Sequence, residues 1–193
     1  EGFAAKAARA LDIGAMHGVN PRTGNASALI GNNNFDAVAV AQSQVVTPTA
    51  SANADVESAI ALVTGHEHEV TGMAMSPGFR SSLASETRQD GTPLFPELGW
   101  GSQPDVIKGL PVDTNSTVSF NSSADKAVVG NFRDFFRWGV GKDITIEVIE
   151  YGNPDNDSDA GDLKGHNQVY LRAEAYIGWG ILAPTYFSRV KTA

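Results

Sequence analysis

The sequence predicts an α+β fold with mainly antiparallel pairing. Three observations carry the prediction: apolar positions at helical spacing in the first third, period-two alternation in the second half, and Gly, Pro and Asn punctuation between the segments. Phe3, Ala7, Ala10, Leu11, Ala15 and Met16 lie on one side of a helix over Phe3 to His17, which reads as the tail of a longer one. Gly18, Asn20-Pro21, Gly24 and Gly31 with Asn32, Asn33 and Asn34 then punctuate a polar connection in which no regular element is expected. A second helix follows over Asp55 to Val63, apolar at 56, 59, 60 and 63, with Asn53 or Asp55 as candidate cap.

Val70 to Ser76, apolar at 70, 73 and 75, predicts a strand, and Ser76 before Pro77 is a cap and first-turn pair that opens a short third helix over Gly78 to Glu86. Asp90-Gly91-Thr92-Pro93 is a turn, after which Leu94 and Phe95 bury. Val106 to Val112 predicts an irregular or edge strand broken by Gly109 and Pro111. Ala127 to Phe132 and Phe135 to Val140 read as strands joined by a tight bend. Asp143 to Glu150 and Val169 to Ile177 alternate more cleanly, and Ile181 to Val190 is strand-like around Pro184. No solenoid period is present.

The chain has 193 residues, 41% hydrophobic and 19% charged, enough for one substantial core or two small ones. Its formal net charge of -8 disfavours a surface built to grip phosphate backbones, so tight nucleic-acid binding is not expected. No run approaches the roughly 18 apolar residues of a membrane span, and no membrane partner is expected. With no cysteine, disulfides, thiol nucleophiles and cysteine-ligated zinc are excluded, which suits a reducing compartment. The chain opens on Glu1 rather than Met and runs straight into a helical pattern, so a missing N-terminal part is expected.

Asp155, Asp157, Asp159 and Asp162 raise the question of calcium, because alternate carboxylates on a curled loop converge on a hard cation. With Asp155 as position one, Ala160 stands where an EF-hand turn wants Gly and His166 where it wants the bidentate Glu. A solvated acidic loop and a calcium loop of another kind both fit the residues. His66 and His68 form half of a zinc or copper site, alongside the plainer reading of an exposed polar loop. Ser76 follows a strand and precedes a helix, but the G-x-S-x-G order of a nucleophile elbow fails, and N-capping accounts for it. Phe132, Phe135, Phe136 and Trp138 fit a ligand pocket or, more simply, a core. No catalytic constellation emerges, and neither a cofactor nor an enzymatic activity is expected.

Read in order, these blocks resemble the major capsid proteins of tailed bacteriophages, the family with the Hong Kong ninety-seven capsid fold. Asp12-Ile-Gly-Ala-Met-His-Gly18 and Asn20-Pro-Arg-Thr-Gly24 look like the end of the spine helix and its exit. Val70 to Arg80 with Asp90-Gly-Thr-Pro-Leu-Phe95 looks like the strand, helix and turn of the axial domain, and Ile107-Lys-Gly-Leu-Pro-Val112 like its next strand. Ala127 to Phe132 with Trp138 and Asp143 to Ile146 is similar to the following pair of strands. Asn167-Gln-Val-Tyr-Leu-Arg-Ala-Glu174, with Ala183-Pro184 and Phe187, resembles the closing segment.

The resemblance implies a spine-helix remnant at 1–24 in the peripheral domain, an axial domain at 25–152, and a return to the peripheral domain at 153–193. The N-terminal arm and extended loop would lie outside this chain. It implies a structural head subunit, not an enzyme, that forms pentamers and hexamers of an icosahedral shell enclosing DNA. Its partners would be copies of itself and other head proteins such as scaffold, protease or portal, and it would reside in the virion after assembly in the host cytoplasm. Loops 87–101 and 113–127 are the expected contacts around the ring axis. Some members crosslink through an asparagine whose position falls here at about Leu163, so no crosslink is expected. Without the arm and extended loop, the chain by itself is expected to be monomeric or weakly oligomeric. The alternative from another class is a calcium-dependent binding module using the aspartates at 155–162.

Overall fold

A computed structural model describes residues 2–99, 106–120, 124–154 and 162–192. The first helix, α1 (Gly2–His17), forms where the periodicity places it, and its last turns are the buried ones, through Ile13 and Ala15. The polar connection then ends in a helix the sequence reading missed, α2 (Phe35–Ala41). Phe-Asp-Ala-Val-Ala-Val-Ala alternates like a strand, but Asn34 decides the outcome. Its Oδ1 accepts from Ala37 N at 2.9 Å while its Nδ2 donates to Gly31 O at 2.9 Å, so one side chain fixes both the turn and the helix start.

After β1 (Val45–Val46), α3 (Ala52–Thr64) is capped by Ser51, not by Asn53 or Asp55. Ser51 Oγ accepts from Ala54 N at 3.3 Å, whereas the buried Asp55 carboxylate accepts from Thr49 N and Thr49 Oγ1 and so ties down the preceding loop. β2 (Gly72–Met75) leads into α4 (Pro77–Ala84), and Ser76 caps it as the Ser-Pro pair predicts.

The segment expected to be one broken strand is two: β3 (Val106–Ile107) and β4 (Leu110–Thr114). Lys108 (φ +49°) and Gly109 (φ +84°) make a two-residue hairpin turn with both central residues left-handed, and the glycine makes that turn inexpensive. β5 (Asp125–Gly130) is followed not by a plain bend but by one helical turn, α5 (Phe132–Phe135), before β6 (Phe136–Ile149). β7 (Tyr170–Ile181) and, after a 3₁₀ turn at Pro184–Tyr186, β8 (Phe187–Lys191) complete the order.

Among the described residues, six strands share one sheet in the order β1-β8-β5-β2-β4-β3, and β6 pairs with β7 in a second. The mixed α+β class holds, and three of the five ladders in the larger sheet are antiparallel. β1–β8 and β2–β4 are parallel, which local alternation cannot reveal. β5 and β8 are inner strands buried on both faces. On one face Ala127, Val129 and Val190 join Ala59 of α3, Phe79 and Leu83 of α4, and Met73 and Met75. On the other face Val128 and Phe187 meet Phe35 of α2, with Phe132, Phe135 and Phe136 packed alongside. The aromatics expected as pocket or core are therefore core, except Trp138.

The chain divides into two units, residues 1–137 with 180–193, and residues 138–179. These are not the boundaries at 24 and 152 expected from the sequence. Residues 1–24 stay with the larger unit because α1 packs beside α2, and β8 stays there because it is an inner strand of the sheet. Residues 138–152 go with the β6–β7 ribbon.

Candidate functional site

Five ionisable side chains from four elements meet beside β8. Alternation along β8 sends Phe187 and Arg189 to the face covered by α1 and α2, while Ser188 turns the other way and donates to Ala59 O at 2.7 Å. By the same alternation Asp125 would lie with Ala127 and Val129, on the opposite face from Arg189. A bulge between Asp125 and Ala127, where β5 gains one residue against β8, turns it round.

Arg189 is 1% exposed, yet it lies between two carboxylates: its Nε is 2.5 Å from Asp36 Oδ1 and its Nη2 3.2 Å from Asp125 Oδ1. The Nε contact lacks hydrogen-bond geometry and is ionic in character. Nη2 also donates to Val118 O at 3.2 Å. Lys191 adds a second cation, 3.3 Å from Asp125 and 3.7 Å from Asp36. His17 closes the group from the end of α1, with Nδ1 2.8 Å from Asp36 Oδ2 and Nε2 2.8 Å from Thr117 O. Arg189 Nη2 also lies 3.5 Å from the same Nδ1. Burial pushes the Asp36 carboxyl up, but the hydrogen bond to His17 and the charges of Arg189, His17 and Lys191 outweigh it and hold the group below its ordinary value.

Among the described residues, His17, Asp36 and Asp125 are the one set of three side chains able to converge on a metal ion. The surrounding charges argue against that use. Arg189 and Lys191 already match the two carboxylates, and a divalent ion would add two positive charges to a buried group that has no negative charge to spare. Chemically, the cluster locks α1 and α2 onto the sheet. Sequence reading missed it because its members are far apart in the chain, His17 and Arg189 by 172 residues. The available signal was a charged residue, Arg189, two positions after Phe187 and so on the same face of β8 as that apolar ring.

The residues singled out in the sequence are placed as follows. Asp155, Asp157 and Asp159 lie outside the described residues. Asp162 accepts from Gly152 N at 2.8 Å through Oδ1, so its carboxylate closes the base of its loop. His166 Nδ1 lies 3.0 Å from the Asp162 carbonyl, and Leu163, at the expected crosslink position, is buried. His66 and His68 stack at 6.0 Å rather than converge. His68 lies flat on Tyr186, with ring centroids 3.4 Å apart, and reaches Thr185 Oγ1 at 3.1 Å. Of the expected ring-axis loops, 87–99, 113–120 and 124–127 are described, and the remainder lies outside. No helix among the described residues is long and apolar enough to cross a membrane.

The ribbon of β6 and β7 carries another kind of surface. Trp138, Val140, Ile144, Ile146 and Val148 occupy alternate positions of β6 and are all exposed, Trp138 at 68% and Ile146 at 69%.

The sequence profile of the phage capsid family matches residues 1–192. A solved structure from Mycobacterium phage Ogopogo is similar at 33% identity and a TM-score of 0.81, covering 96% of this chain and 63% of that one. One from Gordonia phage Cozz is similar at 25% identity and a TM-score of 0.82, covering 98% and 61%. A third, described as the capsid of an empty GTA particle computed with C5 symmetry, shares the fold at 16% identity and a TM-score of 0.65, covering 100% and 64%. The chain thus spans less than two thirds of the length of each. No curated protein matches it.

Proposed function

The chain belongs to the phage capsid family, and from that premise we propose that it is the major capsid subunit of a tailed phage or prophage. In this reading it assembles with copies of itself into pentamers and hexamers of an icosahedral shell around DNA. The observation that carries the reading is the end-to-end family match, joined to a fold shared with a protein described as a capsid of C5 symmetry.

A subunit of this kind works by geometry rather than by a reaction. It presents complementary edges so that rotation about a local axis closes a ring, and many weak contacts together hold the shell. The buried ion cluster supports that role, because edges repeat faithfully only when α1, α2 and the sheet are fixed to one another. The six-stranded sheet with loops 87–101 and 113–127 is proposed as the part around the ring axis. This revises the expected axial span of 25–152, because β8 lies in that sheet and residues 138–152 do not. The charge of -8 suits a shell that must release its DNA. Scaffold, protease or portal proteins are the proposed further partners, with assembly in the host cytoplasm and residence in the virion.

Electron microscopy of the protein expressed at its natural length tests the reading. Closed shells, or rings of one capsomer's size, are expected. A uniformly monomeric protein in the presence of its head partners would overturn it.

A further inference from the structure

The sequence holds one Asp-Gly pair, Asp90-Gly91, and no Asn-Gly. At such a pair the glycine nitrogen attacks the aspartate side-chain carbon. A C–N bond forms, the carboxyl hydroxyl and the amide proton leave as water, and a cyclic succinimide results. Water then reopens the ring at either carbonyl. Opening at the backbone carbonyl leaves isoaspartate, with the main chain rerouted through the side chain. Glycine makes the attack easy because no side chain hinders its nitrogen.

The turn that carries this pair holds both reacting groups back. Gln89, Asp90 and Gly91 form the tip of a hairpin, with Gly91 left-handed at φ +82°. The tip is closed by Arg88 N donating to Thr92 O at 2.8 Å and by a bridge between Thr87 and Pro93. The nucleophile is engaged, because Gly91 N–H donates to Arg88 O at 3.0 Å and its proton is not offered to a base. The electrophile is engaged too: Asp90 Oδ1 accepts from Thr92 Oγ1 at 2.6 Å and from Thr92 N at 3.0 Å. These bonds, the hydroxyl's first, hold the carboxyl below its ordinary value, in the ionised form that has no hydroxyl to lose.

We propose that Asp90-Gly91 is a latent isoaspartate site and that Thr92 guards it by fixing the carboxylate on its own hydroxyl and N–H. The damage would reach the core. Leu94 N donates to Glu86 O at 2.8 Å, and Phe95, 4% exposed, packs in the cluster that holds Phe79 and Leu83. A main chain lengthened just before them shifts both anchors. The inference stands independently of the shell reading.

Incubating the 193-residue chain in heavy-oxygen water at neutral pH tests this. Each passage through the succinimide leaves a label at residue 90, which peptide mass spectrometry reads. Folded wild type should take up label at least about tenfold more slowly than the same chain in urea, since the reaction waits for the turn to open. Thr92→Val removes the hydroxyl at nearly constant shape and should speed labelling of the folded chain about threefold or more, with no change in urea. Thr92→Ser, which keeps the hydroxyl, should label as wild type does, and circular dichroism should report the same fold for all three. Equal rates in folded and unfolded wild type, no gain from Thr92→Val, or a gain that persists in urea would overturn the proposal.

Discussion

Replacing Asp36 with alanine removes one of the two carboxylates that neutralise a buried arginine, and the size of the effect can be worked out from the cluster. Arg189 loses its contact at 2.5 Å but keeps Asp125 at 3.2 Å and the Val118 carbonyl. Lys191 keeps Asp125 at 3.3 Å, and His17 keeps the Thr117 carbonyl. At least one positive charge is then left without compensation. Breaking a fully buried pair costs about 3–5 kcal/mol, and because Asp125 remains and the Asp36 side chain is 17% exposed, about 2–3 kcal/mol is expected. Urea unfolding at pH 7, followed by far-UV circular dichroism, should show the midpoint falling by about 1–1.5 M at a slope of about 2 kcal/mol per M. Arg189→Met alone should also destabilise, and the double variant should lose about 1–2 kcal/mol less than the sum of the two. A loss below about 0.5 kcal/mol from Asp36→Ala, or strict additivity, would refute the reasoning that these charges act as one unit.

The same carboxylate sets an acid response. Its folded value lies below its unfolded value near 4, so its stabilisation is complete above about pH 4 and is lost as the pH falls through the folded value. The gap in urea midpoint between wild type and Asp36→Asn should therefore hold from pH 7 to about 5 and close in more acidic buffer. Gly130→Ala should cost more than about 2 kcal/mol, read as a large fall in thermal midpoint, because its Cβ would sit 2.4 Å from the Tyr186 carbonyl and the Phe187 ring. Millimolar calcium and a chelator should give thermal midpoints within about 1 °C of each other, and a rise with calcium would favour the aspartates at 155–162 as a binding loop.

The legible parts of this fold are those decided locally. Ser76-Pro77 announces α4 because cap and first turn are adjacent in sequence, and the alternation of Asp143 to Ile149 announces β6 because its period is its own. α2 was hidden because Phe35 to Ala41 alternates like a strand, and the deciding bonds belong to Asn34. The parallel ladders, the bulge at Asp125 and the cluster around Arg189 were hidden for another reason. Each depends on which distant strand lies alongside, and His17, Asp125 and Arg189 carry no mark of one another. The element order supplied the α+β class and the family resemblance the kind of protein, while the place of β8 as an inner strand was not legible, since its sequence looks equally at home in either sheet.

The position of β8 also sets a timetable. Strands β1 and β5 flank it on either side, yet both leave the ribosome well before residues 187–191 exist. Until then the sheet has a gap where its inner strand belongs, the cations of Arg189 and Lys191 are missing, and Asp36 and Asp125 have only each other and His17. The contacts that close the fold are therefore among the longest-range in the chain, which makes the final step slow relative to local helix formation. Until β8 is made, the six-stranded sheet lacks the strand that joins β1 to β5, and α1 and α2 lack the arginine that ties them to it.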